Sequence, residues 1–180
     1  MPVRRRHFLG QGLVLVLAGF CRRAWAQALR FRSLARPVVI PIGSLATPWQ
    51  AFPFMADGVT LPSAATPNQP IRISGMVVRT SAGNEPEKFA AVCLKCPHES
   101  CDVDFIQDPS KLPQDVKDEI GRSIARSVYI CPCHNSTFMA EDGERLAGPA
   151  PRGLYRFRVT KVSEAAVEIG EVEEDVLIFI

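Results

Sequence analysis

The chain has 180 residues, of which 47% are apolar, ample to build the core of one domain. It carries 21 basic and 19 acidic residues, but Arg4, Arg5, Arg6, Arg22 and Arg23 all fall within residues 1–26, which hold no acid. The remaining residues carry 16 bases against 19 acids, so the chain lacks the basic footprint that nucleic-acid binding requires.

Arg4-Arg5-Arg6-His7-Phe8-Leu9 fits the twin-arginine export pattern. The apolar stretch Gly12–Phe20 follows, and Ala24-Trp25-Ala26 has the form of a small-residue cleavage site. The expected location is therefore the periplasmic side of a bacterial cytoplasmic membrane. A spanning helix needs about 20 apolar residues. Phe8–Cys21 is shorter and ends on Arg22 and Arg23, which favours a cleaved leader. Phe20 before Cys21 is too bulky for a lipoprotein site, so Cys21 carries no chemistry in this reading.

Residues 27–36 read as a basic, alanine-rich linker, and 37–180 as one domain. Pro37–Ile42 reads as a strand whose prolines suit a sheet edge, and 47–70 as a long irregular loop. Ile71–Val78 alternates as a strand. Ser81–Asn84 marks a turn, and Lys88–Lys95 makes a returning strand. In its apolar run Cys93 reads as a buried free thiol. Between Glu99 and Ile130, Val116, Ile120 and Ile124 share one face of a helix expected over 113–126, with acids early and arginines late, as the helix dipole favours. That helix reads as a cap on the β base, or as a partner-docking element. Leu154–Val162, Ala166–Ile169 and Val176–Ile180 complete a terminal meander. The acids between Glu164 and Asp175 read as solvated turns, with docking to a basic cytochrome as the other reading.

The chemistry is concentrated in two short runs, Cys96-Pro97-His98 with Cys101, and Cys131-Pro132-Cys133-His134. They offer two thiolates and two imidazoles as metal ligands, with a further cysteine beside each pair. An iron–sulfur centre takes such a mixed set, which raises its potential above that of an all-cysteine cluster. Structural zinc takes the same residue types, but leaves Cys101, Ser136 and the run Gly148-Pro149-Ala150-Pro151 without a role. The chain has three histidines, one of them His7 in the leader. None remains for the second, mononuclear iron site of an oxygenase.

The runs C-P-H-x-x-C and C-P-C-H-x-S strongly resemble those of Rieske iron–sulfur proteins. With Gly148–Pro151 they are closest to the iron–sulfur subunit of quinol–cytochrome c reductase, the cytochrome bc complex. The resemblance implies one 2Fe–2S cluster, with Cys96 and Cys131 on one iron and His98 and His134 on the other. It implies a Cys101–Cys133 disulfide, a hydrogen bond from Ser136 to a cluster sulfur, and a proline loop at Gly148–Pro151 covering the cluster. The implied fold is all-β, an antiparallel β-sandwich base with a cluster-binding subdomain inserted at about 93–153, carrying the short helix. The implied partners are quinol, cytochrome b and a c-type cytochrome. His98 or His134 would be the proton-accepting contact, and the chain would have no activity outside its complex. Family members commonly keep the leader as an anchor, so attachment is expected to be anchored or peripheral. The alternative is a Rieske small subunit of a periplasmic molybdenum oxidoreductase, similar to that of arsenite oxidase, or a soluble electron carrier. Four positions depart from the quinol-oxidising pattern: Glu99 replaces an apolar leucine, Ser100 and Asn135 replace glycines, and Phe138 replaces a tyrosine.

Overall fold

A computed structural model describes residues 29–60 and 70–174. The apolar alternation of the sequence is resolved into two antiparallel sheets. The large one contains β1 (Phe31–Pro41), β2 (Ala51–Thr60), β3 (Pro70–Arg79), β4 (Phe89–Cys93), β9 (Arg156–Val162) and β10 (Ala166–Glu173), in the order β1-β10-β9-β4-β3-β2. The strands β1 and β2, at opposite ends of that order, lie against one another, so the sheet curls toward closure. Its inner face packs Ile40, Leu45, Ile73, Val77, Val167 and Ile169, with Phe54 and Phe157 edge to face at 5.0 Å.

Between β4 and β9 the chain leaves to build a second sheet. This holds β5 (Asp104–Ile106), β6 (Val128–Ile130), β7 (Thr137–Met139) and β8 (Arg145–Ala147) in sequence order, with helix α1 (Gln114–Ile120) packed beside β8. The expected all-β base with an inserted small subdomain and one short helix is the observed arrangement.

Several boundaries differ from the sequence reading. Residues 51–60, expected as irregular loop, form β2, paired with β3 from Ala51 opposite Val78 to Ala56 opposite Ile73. Pro53 misleads because β2 ends the hydrogen-bonded order, where a missing N–H is tolerated. The first strand begins at Phe31, inside the stretch read as a linker, and a register shift between Ser33 and Val38 spans Pro37. The helix stops at Ile120, short of 126, because Gly121 takes a left-handed φ of 65° and closes the last turn onto Lys117. Ile124 still packs against the small core of Leu112, Val116, Val128 and Ile130. The strand expected at 176–180 and the whole leader lie outside the described residues. Among the described residues no helix is long and apolar enough to cross a membrane.

The acids read as solvated turns instead lie largely on β10, which runs on to Glu173. That side chain is 1% exposed. Its carboxylate pairs with the Arg152 guanidinium and accepts the Arg156 amide at 3.1 Å, while Arg152 also lies 4.2 Å over the Tyr155 ring. Arg152→Ala would leave a buried carboxylate without its cation and is expected to cost roughly 3 kcal/mol, read as the shift in urea unfolding. Unchanged stability would mean that the pair contributes nothing.

Cys93 is the buried free thiol the sequence suggested. Burial, more than any other influence, pushes its pKa from 9.0 up to about 12. Folding thus keeps the proton on. The associated stability is full below the ordinary thiol value and declines as pH rises from there through about 12. Iodoacetamide at mildly alkaline pH is expected to leave Cys93 intact until the chain unfolds; modification of the folded protein would contradict this.

Candidate metal centre

Two loops of the same construction face each other at the free end of the small subdomain. In the first, the Cys96 amide donates to the Cys101 carbonyl at 2.8 Å and the Ser100 amide to the Cys96 carbonyl at 2.9 Å. In the second, the Cys131 amide donates to Ser136 at 2.8 Å and the Asn135 amide to Cys131 at 2.9 Å. The fifth residue of each loop is left-handed, Ser100 at φ 57° and Asn135 at φ 58°. This accounts for glycine being usual at both departures, and asparagine tolerates the conformation better than serine. A Cys101–Cys133 disulfide joins the loops, the pairing that the resemblance implied.

Inside the joined loops sit two free thiols, Cys96 and Cys131, 1% and 2% exposed. Burial raises the pKa of Cys96, and the adjoining Cys131 thiol raises it further. The His98 amide and the Ser136 hydroxyl, both hydrogen-bonding toward the Cys96 sulfur, act the other way. Outside, His98 and His134 stand with ring centroids 4.9 Å apart and planes at 84°, their side chains 29% and 47% exposed. Glu99 reaches both, at 4.0 Å from His98 Nε2 and 3.8 Å from His134 Nδ1.

Two ligand-like groupings arise from proximity, Cys101 with Cys131 and Cys133, and His98 with Glu99 and His134. The first contributes only Cys131, because the other two sulfurs are spent in the disulfide. The available soft donors are therefore Cys96 and Cys131, backed by two imidazoles. Paired thiols on the inside and paired imidazoles outside are the donor set of a 2Fe–2S centre ligated through histidine on one iron.

The covering loop is tightly held. Gly148 has φ 84°, and a Cβ there would lie 2.4 Å from Ser136 Cα. The Ala150 amide donates to Ser136 Oγ at 3.1 Å. Both polar groups of Gly148 are engaged: its amide donates to Glu119 Oε1 at 2.8 Å, and its carbonyl accepts from Arg145 Nη1 at 2.6 Å.

The model of the Rieske [2Fe-2S] domain matches residues 64–161. The chain belongs to the Rieske [2Fe-2S] family. No curated protein matches it as a relative. A Rieske domain binds a 2Fe–2S cluster, and the thiol and imidazole pairs described above suit that group. All the Rieske residues singled out in the sequence, Cys96, His98, Cys101, Cys131, Cys133, His134 and Ser136, meet at this one end. Sequence reasoning missed Glu119 and Arg145. Glu119 stands 29 residues from Gly148 and looked like one more exposed helix acid, so no local signal announced its contact.

Phe138 is fully buried, opposite Tyr129 on β6. A tyrosine here would put a hydroxyl donor into the buried cluster that holds Cys96 and Cys131, able to stabilise sulfur charge in the reduced state. Phe138→Tyr is expected to raise the midpoint potential by the worth of one hydrogen bond, about 1 kcal/mol. Protein-film voltammetry reads this directly; an unchanged or lower value refutes it.

Proposed function

We propose that this chain is the high-potential electron-transfer subunit of a respiratory quinol–cytochrome c reductase, exported by the twin-arginine route and acting at the periplasmic face of the membrane. Cys96 and Cys131 would hold one iron, and His98 and His134 the other. The observations carrying this reading are a pair of partly exposed imidazoles, 4.9 Å apart, and a loop, Gly148–Pro151, packed onto Ser136.

When bound, the cluster supplies one-electron chemistry at a potential raised by imidazole ligation. The chain's own residues do the rest. His98 or His134, both partly exposed, would present a ring nitrogen to quinol and take up one proton from it. The disulfide and the proline loop keep water from the buried thiolates, and the Ser136 hydroxyl donates toward the Cys96 sulfur. In this reading a c-type cytochrome would be the electron acceptor, and cytochrome b would complete the quinol site and take quinol's second electron.

Glu99 favours a second reading. An exposed carboxylate beside both imidazoles suits an apolar quinone pocket poorly. It would suit a polar partner, such as the catalytic subunit of a periplasmic molybdenum oxidoreductase; a soluble carrier role fits the same observation. Mild-detergent purification of the native protein, with an optical spectrum and metal analysis, separates the readings. Co-purifying b- and c-type haem from membranes supports the reductase. Molybdenum, or absence of haem in a soluble periplasmic fraction, overturns it.

A further inference from the structure

The inserted segment between the two cysteine–histidine loops does more than cap the β base. Its helix is fixed to the subdomain by Val116, 1% exposed, packed with Leu112, Val128 and Ile130. Leu146 on β8 closes the same small core. That packing delivers Glu119 to the root of the proline loop, where Oε1 accepts the Gly148 amide at 2.8 Å. Arg145 takes the Gly148 carbonyl from the other side, so the peptide groups flanking this residue are held from two directions. The next contacts lead inward: Gly148 lies against the Ser136 backbone, and Ala150 donates to the Ser136 hydroxyl.

We propose that Glu119 is a positioning residue for the redox centre, clamping the Gly148–Pro151 loop onto Ser136 so that the serine hydroxyl stays aimed at the ligand sulfur. The inference rests on the assignment of Cys96 and Ser136 to the cluster environment. Its physical content is a hydrogen-bond chain: a hydroxyl that accepts from Ala150 is the stronger donor to sulfur. A sulfur with a stronger donor is better stabilised in the reduced state. Releasing the clamp weakens that chain and lowers the potential.

The charge of Glu119 acts in the opposite sense, because removing a negative charge near the centre favours reduction. Glu119→Ala and Glu119→Gln remove that charge equally, and glutamine alone keeps an acceptor for the Gly148 amide. The comparison between the two therefore isolates the clamp. In the cluster-loaded full-length protein, the alanine variant is expected to have a lower midpoint potential than the glutamine variant. Its electron paramagnetic resonance lines should be shifted or broadened, while glutamine keeps the wild-type line shape. Coincident potentials and spectra for the two variants would overturn the proposal and leave Glu119 a structural residue, whatever the change in melting temperature. Should the alanine variant fail to load, Glu119→Asp decides. It keeps the charge but shortens the side chain, so a potential below wild type supports the clamp and an unchanged one refutes it. If the wild-type protein itself lacks a Rieske spectrum, the assignment of the centre fails, a result distinct from failure of the clamp.

Discussion

Gly148→Ala is expected to strip the protein of its cluster or to leave it severely destabilised. The position combines two demands that no side chain meets. Its φ of 84° lies where an L-residue pays about 1–2 kcal/mol. Its Cβ would fall 2.4 Å from Ser136 Cα and 2.7 Å from Ser136 N, backbone atoms tied to Cys131 by a hydrogen bond and unable to swing aside. Overpacking of this kind adds roughly 1–3 kcal/mol. Relief comes only by lifting the loop, which breaks the Ala150 contact with Ser136 and opens the thiols to water. Iron content, visible circular dichroism and urea unfolding read the outcome together. A variant with full iron and wild-type stability would show that the loop does not pack on Ser136.

Removing the disulfide is the second large effect expected. Cys101 and Cys133 close a span of 32 residues, and releasing it enlarges the unfolded ensemble by roughly 3.5 kcal/mol in the chain-entropy account. Cys101→Ser combined with Cys133→Ser should lower the urea midpoint accordingly. It should also shorten the lifetime of the loaded protein, because the two cysteine–histidine loops then lose the covalent link between them. Reducing agent at a strength that opens the bond should reproduce the loss in the wild-type chain. Equal stability with and without the bond would refute the expectation.

The site was far more legible in the sequence than its support. Candidate ligands announce themselves because metal chemistry restricts them to Cys and His at short spacings, and the disulfide partners travel inside the same runs. The left-handed Ser100 and Asn135 were visible as departures, though only the backbone shows why glycine is usual there. By contrast β2 was hidden, since it lies within the proline-rich stretch 47–70, and the edge position that excuses Pro53 is a tertiary fact. Glu173 was misread for a related reason. Its burial depends on Arg152, 21 residues away, and nothing in a run of acids separates the buried one from its exposed neighbours. The helix end was misplaced because Ile124 keeps the helical spacing after Gly121 has turned the chain, and apolar spacing records burial without recording conformation.

The place where the redox subdomain is inserted has a consequence for how this architecture can be rebuilt. The chain departs after Cys93 and returns at Tyr155, and those two residues are hydrogen-bonded to each other, Cys93 N to Tyr155 O at 2.8 Å. Just behind them Ala91 faces Phe157 across the pairing of β4 with β9. The whole excursion is thus a cassette with both ends at one point on its scaffold. A short hairpin turn could close that point without altering a strand register. The same junction could accept a cassette with a different metal, provided that it also covers Val78 and Val92, which share one buried cluster with Cys96, Tyr129, Cys131 and Phe138.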